Sequence, residues 1–217
     1  MSTKWVILDV MGVIFEVSDD TNDLLVPYIQ KRNKTISEEK INEMYLKASL
    51  DEISSFDFWD QLGFGGEYPE IEKDYLDTCL RIDPEFKKAA EKLAKNYSLA
   101  ILSNDVKEWS DYLCAKFGLD ELFKIIIVSG KVKHRKPDKR IYKILLDRIQ
   151  SVPSDCVFVD DRPKNLRPAS EIGIKTIRFA REESNYDFSA DFEISSFAEL
   201  PETVKKIFES TRSCKVY

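Results

Sequence analysis

Four cysteines and a single histidine in 217 residues leave several chemistries without their usual ligands. Cys79, Cys114, Cys156 and Cys214 show no paired spacing, and His134 is the only imidazole, so neither a zinc cage nor a disulfide framework is expected. Long apolar runs are also missing; the longest hold about half a dozen residues, against the roughly 20 of a bilayer-spanning helix. The first residues carry neither an apolar signal core nor an arginine-rich presequence, and a cytoplasmic protein with no membrane partner is expected. Cation excess is absent as well. Thirty-three Lys and Arg stand against 39 Asp and Glu, well mixed, for a net charge of −6, so no global basic field is present to hold nucleic acid. There is no internal repeat and no low-complexity tract.

What is present is 43% apolar residues, enough for a sizeable core in one domain with an insertion or in two small ones. Trp5 to Leu8 is a short apolar run that stops at Asp9, with Gly12 just beyond, the pattern of a buried strand delivering a carboxylate to a tight loop. From about 17 to 82 the chain reads as helical. Leu24, Leu25, Tyr28 and Ile29 share one face, Ser37 opens a second helix carrying Ile41, Met44, Tyr45 and Ala48, and Ile71, Tyr75 and Leu76 mark a further one. Phe56, Phe58, Trp59 and Leu62 between them form an aromatic knot, read first as internal packing; which of its rings shape a pocket does not follow from spacing.

From Asp83 onward helix and strand alternate. Strands are expected at Leu99–Leu102, Ile125–Val128, Cys156–Val159 and Ile174–Phe179, with helices ending at Leu93, Gly118 and Gly173, one opening at Pro137, and a last one near Phe197–Phe208; Arg181–Asp191 reads as a loop. Continuous apolar strands between amphipathic helices indicate an α/β fold, a doubly wound parallel Rossmann-like sheet covered on both faces. The expected domains are a core of residues 1–16 and 83–217 and an α-helical cap of residues 17–82.

In an open parallel sheet, ligands sit beyond the carboxyl ends of the strands, where strand order reverses. Asp9, Ser103, Asn104, Asp160 and Asp161 all fall at that edge. Carboxylates gathered there repel one another, and Mg2+, which takes oxygen ligands and keeps room for water and phosphate, is the natural neutraliser. Lys136, just before Pro137, can bring a point charge to a phosphate. It also belongs to the run Lys131, Lys133, His134, Arg135, Lys136, Lys139 and Arg140, whose alternative reading as a nucleic-acid patch suffers from the lack of interleaved aromatics.

Asp-Val-Met-Gly-Val at 9–13, Leu-Ser-Asn at 102–104, Arg-Lys-Pro-Asp at 135–138 and Phe-Val-Asp-Asp-Arg-Pro-Lys-Asn at 158–165 resemble, in order and spacing, the four motifs of the haloacid dehalogenase (HAD) superfamily. The arrangement is similar to members with a helical cap after the first strand, which include many phosphatases of small metabolites. The resemblance implies that Asp9 is the nucleophile, forming an aspartyl-phosphate, and also a ligand of Mg2+. It implies that Met11 offers its carbonyl to the metal and that Asp160 and Asp161 complete that site. Ser103, Asn104 and Lys136 are implied to bind the phosphate and substrate, Lys136 also stabilising the transferring group, and Asn165 to steady the loop. The implied partner is a small phosphorylated metabolite.

The departure from the pattern is Met11. Phosphatases of the family carry an aspartate there that protonates the leaving group and then activates water, a contribution of about 10²- to 10⁴-fold for a positioned acid or base. Three readings follow: a phosphatase with weakened acid-base catalysis or one borrowing an acid from His134, Asp19 or Asp20; a binding or regulatory protein that keeps the fold and metal site; and a dehalogenase-type hydrolase. The acidic doublet Asp160-Asp161 argues against the last, since haloacid dehalogenases lack it and need no metal. Substrate identity and oligomeric state do not follow from the sequence.

Overall fold

The computed structural model describes residues 3–181 and 188–213. Six strands, β1 (Trp5–Leu8), β2 (Ser98–Ser103), β3 (Ile125–Val128), β4 (Cys156–Asp160), β5 (Lys175–Phe179) and β6 (Phe192–Ile194), form one sheet in the order β3-β2-β1-β4-β5-β6. Every neighbouring pair is parallel. This is the doubly wound arrangement, and strand order reverses beside β1. Because side chains alternate across a strand, Val6, Leu8, Leu99, Ile101, Val157 and Val159 pack into the core on one face, while Trp5, Ile7, Ala100, Leu102, Cys156 and Phe158 fill the other.

The expected strands lie where the apolar runs placed them, within a residue or so at each end. Strand β6 is an addition: three residues, with Phe192 and Glu193 exposed, give no apolar run to read. The helix expected to open at Pro137 is Lys139–Ile149, because Asp138 is its cap and accepts from the Arg140 amide at 2.9 Å; Lys136 therefore lies on the loop before it. The helix after Asp83 begins at Phe86, with Asp83 accepting from the Glu85 amide. Lys107–Phe117 stops at Gly118, whose φ of +64° is the left-handed conformation that ends helices. Part of the loop expected at Arg181–Asp191 lies outside the described residues, as does Cys214; Cys79, Cys114 and Cys156 are free thiols.

Between β1 and the helix Phe86–Ala94 the chain is helical. A π-helical turn, Thr21–Leu25, leads into Val26–Arg32, followed by Glu38–Ala48, Ser55–Gln61 and Glu70–Thr78. Ser37 caps the third of these segments, and Ser54 with Asp57 forms a reciprocal capping box on the fourth. The chain enters and leaves this insertion side by side: Phe15 bridges Ile82, the Glu16 amide donates to Arg81 O at 3.1 Å, and the Asp83 amide donates to Ile14 O at 2.9 Å. Arg181, beyond β5, donates to the carbonyls of Gly12 and Val13 and to Asp83 Oδ2, fixing both connections to the sheet.

The insertion shares its apolar core with one face of the sheet layer. Phe58 and Trp59, fully buried, meet Trp109 of the helix Lys107–Phe117 with ring centroids 5.4 and 6.1 Å apart. Glu72 sits under both indoles, its Oε2 accepting from Trp59 Nε1 at 2.9 Å, from Trp109 Nε1 at 2.6 Å and from the Ser55 hydroxyl. The aromatic knot is thus internal packing, as read, but at the seam between insertion and sheet layer. Phe56 is the exception, 45% exposed and resting on Tyr68.

Candidate active site

The register puts Asp9 one residue beyond Leu8, whose partners are Ile101 and Val159, so Asp9 leaves the sheet level with Asp160 at the reversal of strand order. Its own amide still donates to Val159 O at 2.9 Å. Among the described residues, Asp9, Asp160 and Asp161 bring carboxylate oxygens within 4.8 Å of one another. Lys136 reaches into the same point. Its Nζ is 2.7 Å from Asp9 Oδ1 and 2.8 Å from Asp160 Oδ2, with the lysine only 4% exposed.

Each of these groups is held by its own neighbours. The Val10 amide donates to Asp9 Oδ1 at 2.6 Å. Asp160 is fully enclosed: Arg162 N donates to its Oδ1 at 2.8 Å, and Asn165 Nδ2 reaches both oxygens at 3.1 Å. With Lys136 added, the Asp160 carboxylate is well satisfied. Asn165, expected to steady this loop, is placed to do so, and its main-chain carbonyl accepts from the Tyr142 hydroxyl at 2.6 Å. Asn104 uses both ends of its amide on the Lys136 main chain, with Nδ2 donating to Lys136 O at 2.9 Å and Oδ1 accepting from Lys136 N at 2.8 Å. Expected as a substrate contact, Asn104 is first of all the group that positions Lys136.

Among the described residues, five buried side-chain polar atoms lack a hydrogen-bond partner; Trp5 Nε1 and Tyr75 Oη lie elsewhere, and Asn165 Oδ1 belongs to the group around Asp160. Ser103 Oγ at the end of β2 and Asp161 Oδ1 are both buried without a hydrogen bond. An unsatisfied buried polar atom costs about 1–3 kcal/mol, so Asp161 Oδ1 within the carboxylate cluster and Ser103 Oγ at the end of the neighbouring strand are acceptor and donor with capacity to spare. Gly12 explains how Asp161 comes so close: with φ +76°, a Cβ there would lie 2.4 Å from Asp161 Cγ.

The electrostatics agree with an incomplete charge balance. Burial, with the neighbouring Asp160 carboxylate, pushes Asp9 well above the ordinary carboxylate range, and Lys136 opposes the rise. Asp161 is raised to about 7, again by burial first and Asp160 second. Burial alone would lower Lys136, yet the Asp160 and Asp9 carboxylates hold its ammonium above its usual value. One lysine does not neutralise three carboxylates. A hard divalent cation fits the surplus: the donor set is all oxygen, and Asp161 Oδ1 is unclaimed.

A cavity of about 50 Å³ opens above Asp9, with Met11, Asn104 and Lys136 in its wall. Asp20, Thr21 and Tyr45 reach it from the helical insertion, and Arg135 and Arg162 from the loops after β3 and β4. Phe56, Phe58 and Trp59 do not line it. A second cavity of about 430 Å³ shares Ser18 and Arg162 with the first and is also lined by Asp161, Lys164, Arg178 and Arg181. Of these residues, Tyr45 reads from sequence as a core position on an amphipathic helix, and Arg162 is silent apart from its place after the acidic doublet. Arg162 donates to Ser18 O and lies 3.8 Å from Asp19, tying the start of the insertion to the Asp161 loop.

Comparison with known proteins follows the same line. The rat bifunctional epoxide hydrolase 2 is 33% identical over 101 residues, 43% of this chain and 18% of that protein. The (S)-2-haloacid dehalogenase 4A of Burkholderia cepacia is 30% identical over 135 residues, 59% of this chain and 58% of that one. The aligned stretches thus span less than two thirds of the curated relatives' lengths. A HAD family enzyme of Bacteroides thetaiotaomicron, solved in complex with magnesium and inorganic phosphate, shares the fold with a TM-score of 0.72 at 21% identity, over 84% of this chain and 97% of that one. No helix among the described residues is long and apolar enough to cross a membrane. The model of the haloacid dehalogenase-like hydrolases matches residues 3–173, and the chain belongs to that family.

Proposed function

We propose that this hydrolase is a Mg2+-dependent phosphatase of a small phosphorylated metabolite, working through an aspartyl-phosphate on Asp9. The observation that carries the reading is the buried cluster of Asp9, Asp160 and Asp161 around Lys136, with Ser103 Oγ and Asp161 Oδ1 left unpaired. Displacement of a halide would gain nothing from two further carboxylates, since they repel the departing anion. A phosphoryl group, by contrast, needs cations and hydroxyls around its oxygens.

Asp9, with Asp161 and the Met11 carbonyl, would hold the ion; Asp160 anchors Lys136 and adds its charge to the cluster. When bound, Mg2+ supplies charge neutralisation for the phosphoryl oxygens beside the nucleophile. The rest is done by side chains. Asp9 attacks phosphorus, the ester oxygen leaves with the bonding pair, and a carboxylate otherwise modest as a nucleophile is kept free of solvent by burial. Lys136 stabilises the charge on the transferring oxygens, its orientation fixed by Asn104 and Asp160. Ser103 donates its hydroxyl to one of them. The cavity of about 50 Å³ has room for one small anion, so the organic part of the ester lies in the adjoining cavity of about 430 Å³.

The test is steady-state hydrolysis of an aryl phosphate with and without Mg2+. Activity should require the ion and vanish in Asp9→Asn. Turnover unchanged by that substitution, or metal-free halide release from a haloacid, would overturn the reading.

A further inference from the structure

With Met11 in place of an acid, this site still has to move a proton twice: on to the leaving alcohol and off the hydrolytic water. Among the described residues that line the cavity over Asp9, the carboxylates are Asp9 itself and Asp20. Resting on the phosphatase reading, we propose that Asp20, delivered by the first turn of the helical insertion, is the general acid and base of this hydrolase.

Three observations single it out. Asp20 is a buried carboxylate, 7% exposed, in the wall that also contains Met11 and Lys136. It stands where a helix-capping residue would, yet its side chain makes no capping bond to the helix that begins at Thr21. Its segment is also fixed, since Arg162 donates to Ser18 O and lies 3.9 Å from Asp161. The other candidates are placed elsewhere. Asp19 has a side chain 45% exposed and gives its oxygens to the Asn22 amide groups, and His134 does not line the cavity.

The charges around Asp20 suit the task. Asp19 is next to it on its own segment, Arg162 faces it from the loop after β4 and Arg135 from the loop after β3; Tyr45, Tyr75 and Asp105 lie within range of its charge. Burial raises Asp20 to about 6, with Arg162 opposing, Asp19 adding and Arg135 opposing. A proton carrier poised near neutrality can serve in both directions.

The steps balance. As Asp9 oxygen bonds to phosphorus, the ester P–O bond breaks, its electron pair stays on the departing oxygen, and that oxygen takes the proton of the Asp20 carboxylic acid. Water then attacks the phosphorus of the aspartyl-phosphate. Asp20, now a carboxylate, takes one of its protons, the bond to Asp9 breaks with its pair returning to the carboxylate, and inorganic phosphate leaves with Asp20 protonated again.

The experiment compares wild type, Asp20→Asn and Asp20→Asn with Met11→Asp on 4-nitrophenyl phosphate and phenyl phosphate, similar in shape but differing in leaving-group basicity. The phosphoenzyme is trapped by acid quench. Asp20→Asn should lower kcat/KM for phenyl phosphate by about 10²- to 10⁴-fold and for the nitrophenyl ester far less, with phosphoenzyme accumulating. Adding Met11→Asp should restore turnover, which a collapsed variant could not show. Equal losses on both esters without accumulated phosphoenzyme, or rates within about twofold of wild type, overturn the role of Asp20 while leaving the phosphatase reading standing. A wild type that neither hydrolyses either ester nor forms a phosphoenzyme overturns that reading, and this one with it.

Discussion

Replacing Asp20 by asparagine should make the protein more stable, not less. Asp20 rises from an ordinary 3.8 to about 6 because burial disfavours its charge by more than Arg162 and Arg135 favour it. The sign follows from which state holds the proton. Between about pH 4 and 6 the folded chain keeps a proton on Asp20 that the unfolded chain has released, so stability falls as pH rises through that window and the full penalty is present above it. At 1.36 kcal/mol per pH unit, the interval corresponds to about 3 kcal/mol. Asparagine carries no charge at any pH and removes that penalty, and no capping bond is lost with the carboxylate. Urea denaturation near pH 7 should therefore show Asp20→Asn more stable by up to about 3 kcal/mol, with the gap closing toward about pH 4. A variant less stable than wild type near neutrality, or a gap that ignores pH, would refute the reasoning. The gain in stability would accompany the loss in rate, as expected where a desolvated carboxylate is kept for chemistry.

Other substitutions probe the remaining parts. Lys136→Met leaves Asp9 and Asp160 buried without their cation, and unfolding free energy should fall by about 3–5 kcal/mol in metal-free buffer; the deficit should narrow at lower pH as the carboxylates bind protons, and Mg2+ should stabilise the variant more than wild type in parallel melts. Met11→Asp should raise kcat more in the Asp20→Asn background than in wild type; equal gains would mean that the two carboxylates act independently. Gly12→Ala should cost roughly 1–2 kcal/mol for the left-handed backbone alone, and because the new Cβ would displace Asp161 it should also weaken Mg2+ binding, measured by calorimetry.

The parts of the site legible in the sequence are those that end a strand. Asp9, Ser103 and Asp160 follow continuous apolar runs, so their place at one sheet edge comes from local pattern plus the geometry of parallel strands. Lys136 sits on a loop, but its short motif with Pro137 marked it, although the helix after it starts later than expected. Tyr45 and Arg162 were harder, and Asp20 was one of three acids the sequence left open, since they reach the cavity only because the insertion packs against the β4 loop, a contact between distant segments that no periodicity records. The same holds for Asn104. Its type fits a substrate contact, and only the structure shows its amide spent on Lys136. Phe58 and Trp59 are internal packing, as their clustering suggested, but that they meet Trp109 across the seam is a long-range contact that spacing does not show.

Two of the chain's three tryptophans, Trp59 and Trp109, share one carboxylate across that seam, each from a different side of it. Because Glu72 travels with Trp59, swinging the insertion away from the sheet layer would strip Trp109 of its acceptor, part the two neighbouring indoles and admit water to both rings. Intrinsic emission is therefore a built-in gauge of opening: a red shift on separation and its reversal on closure, read without any label.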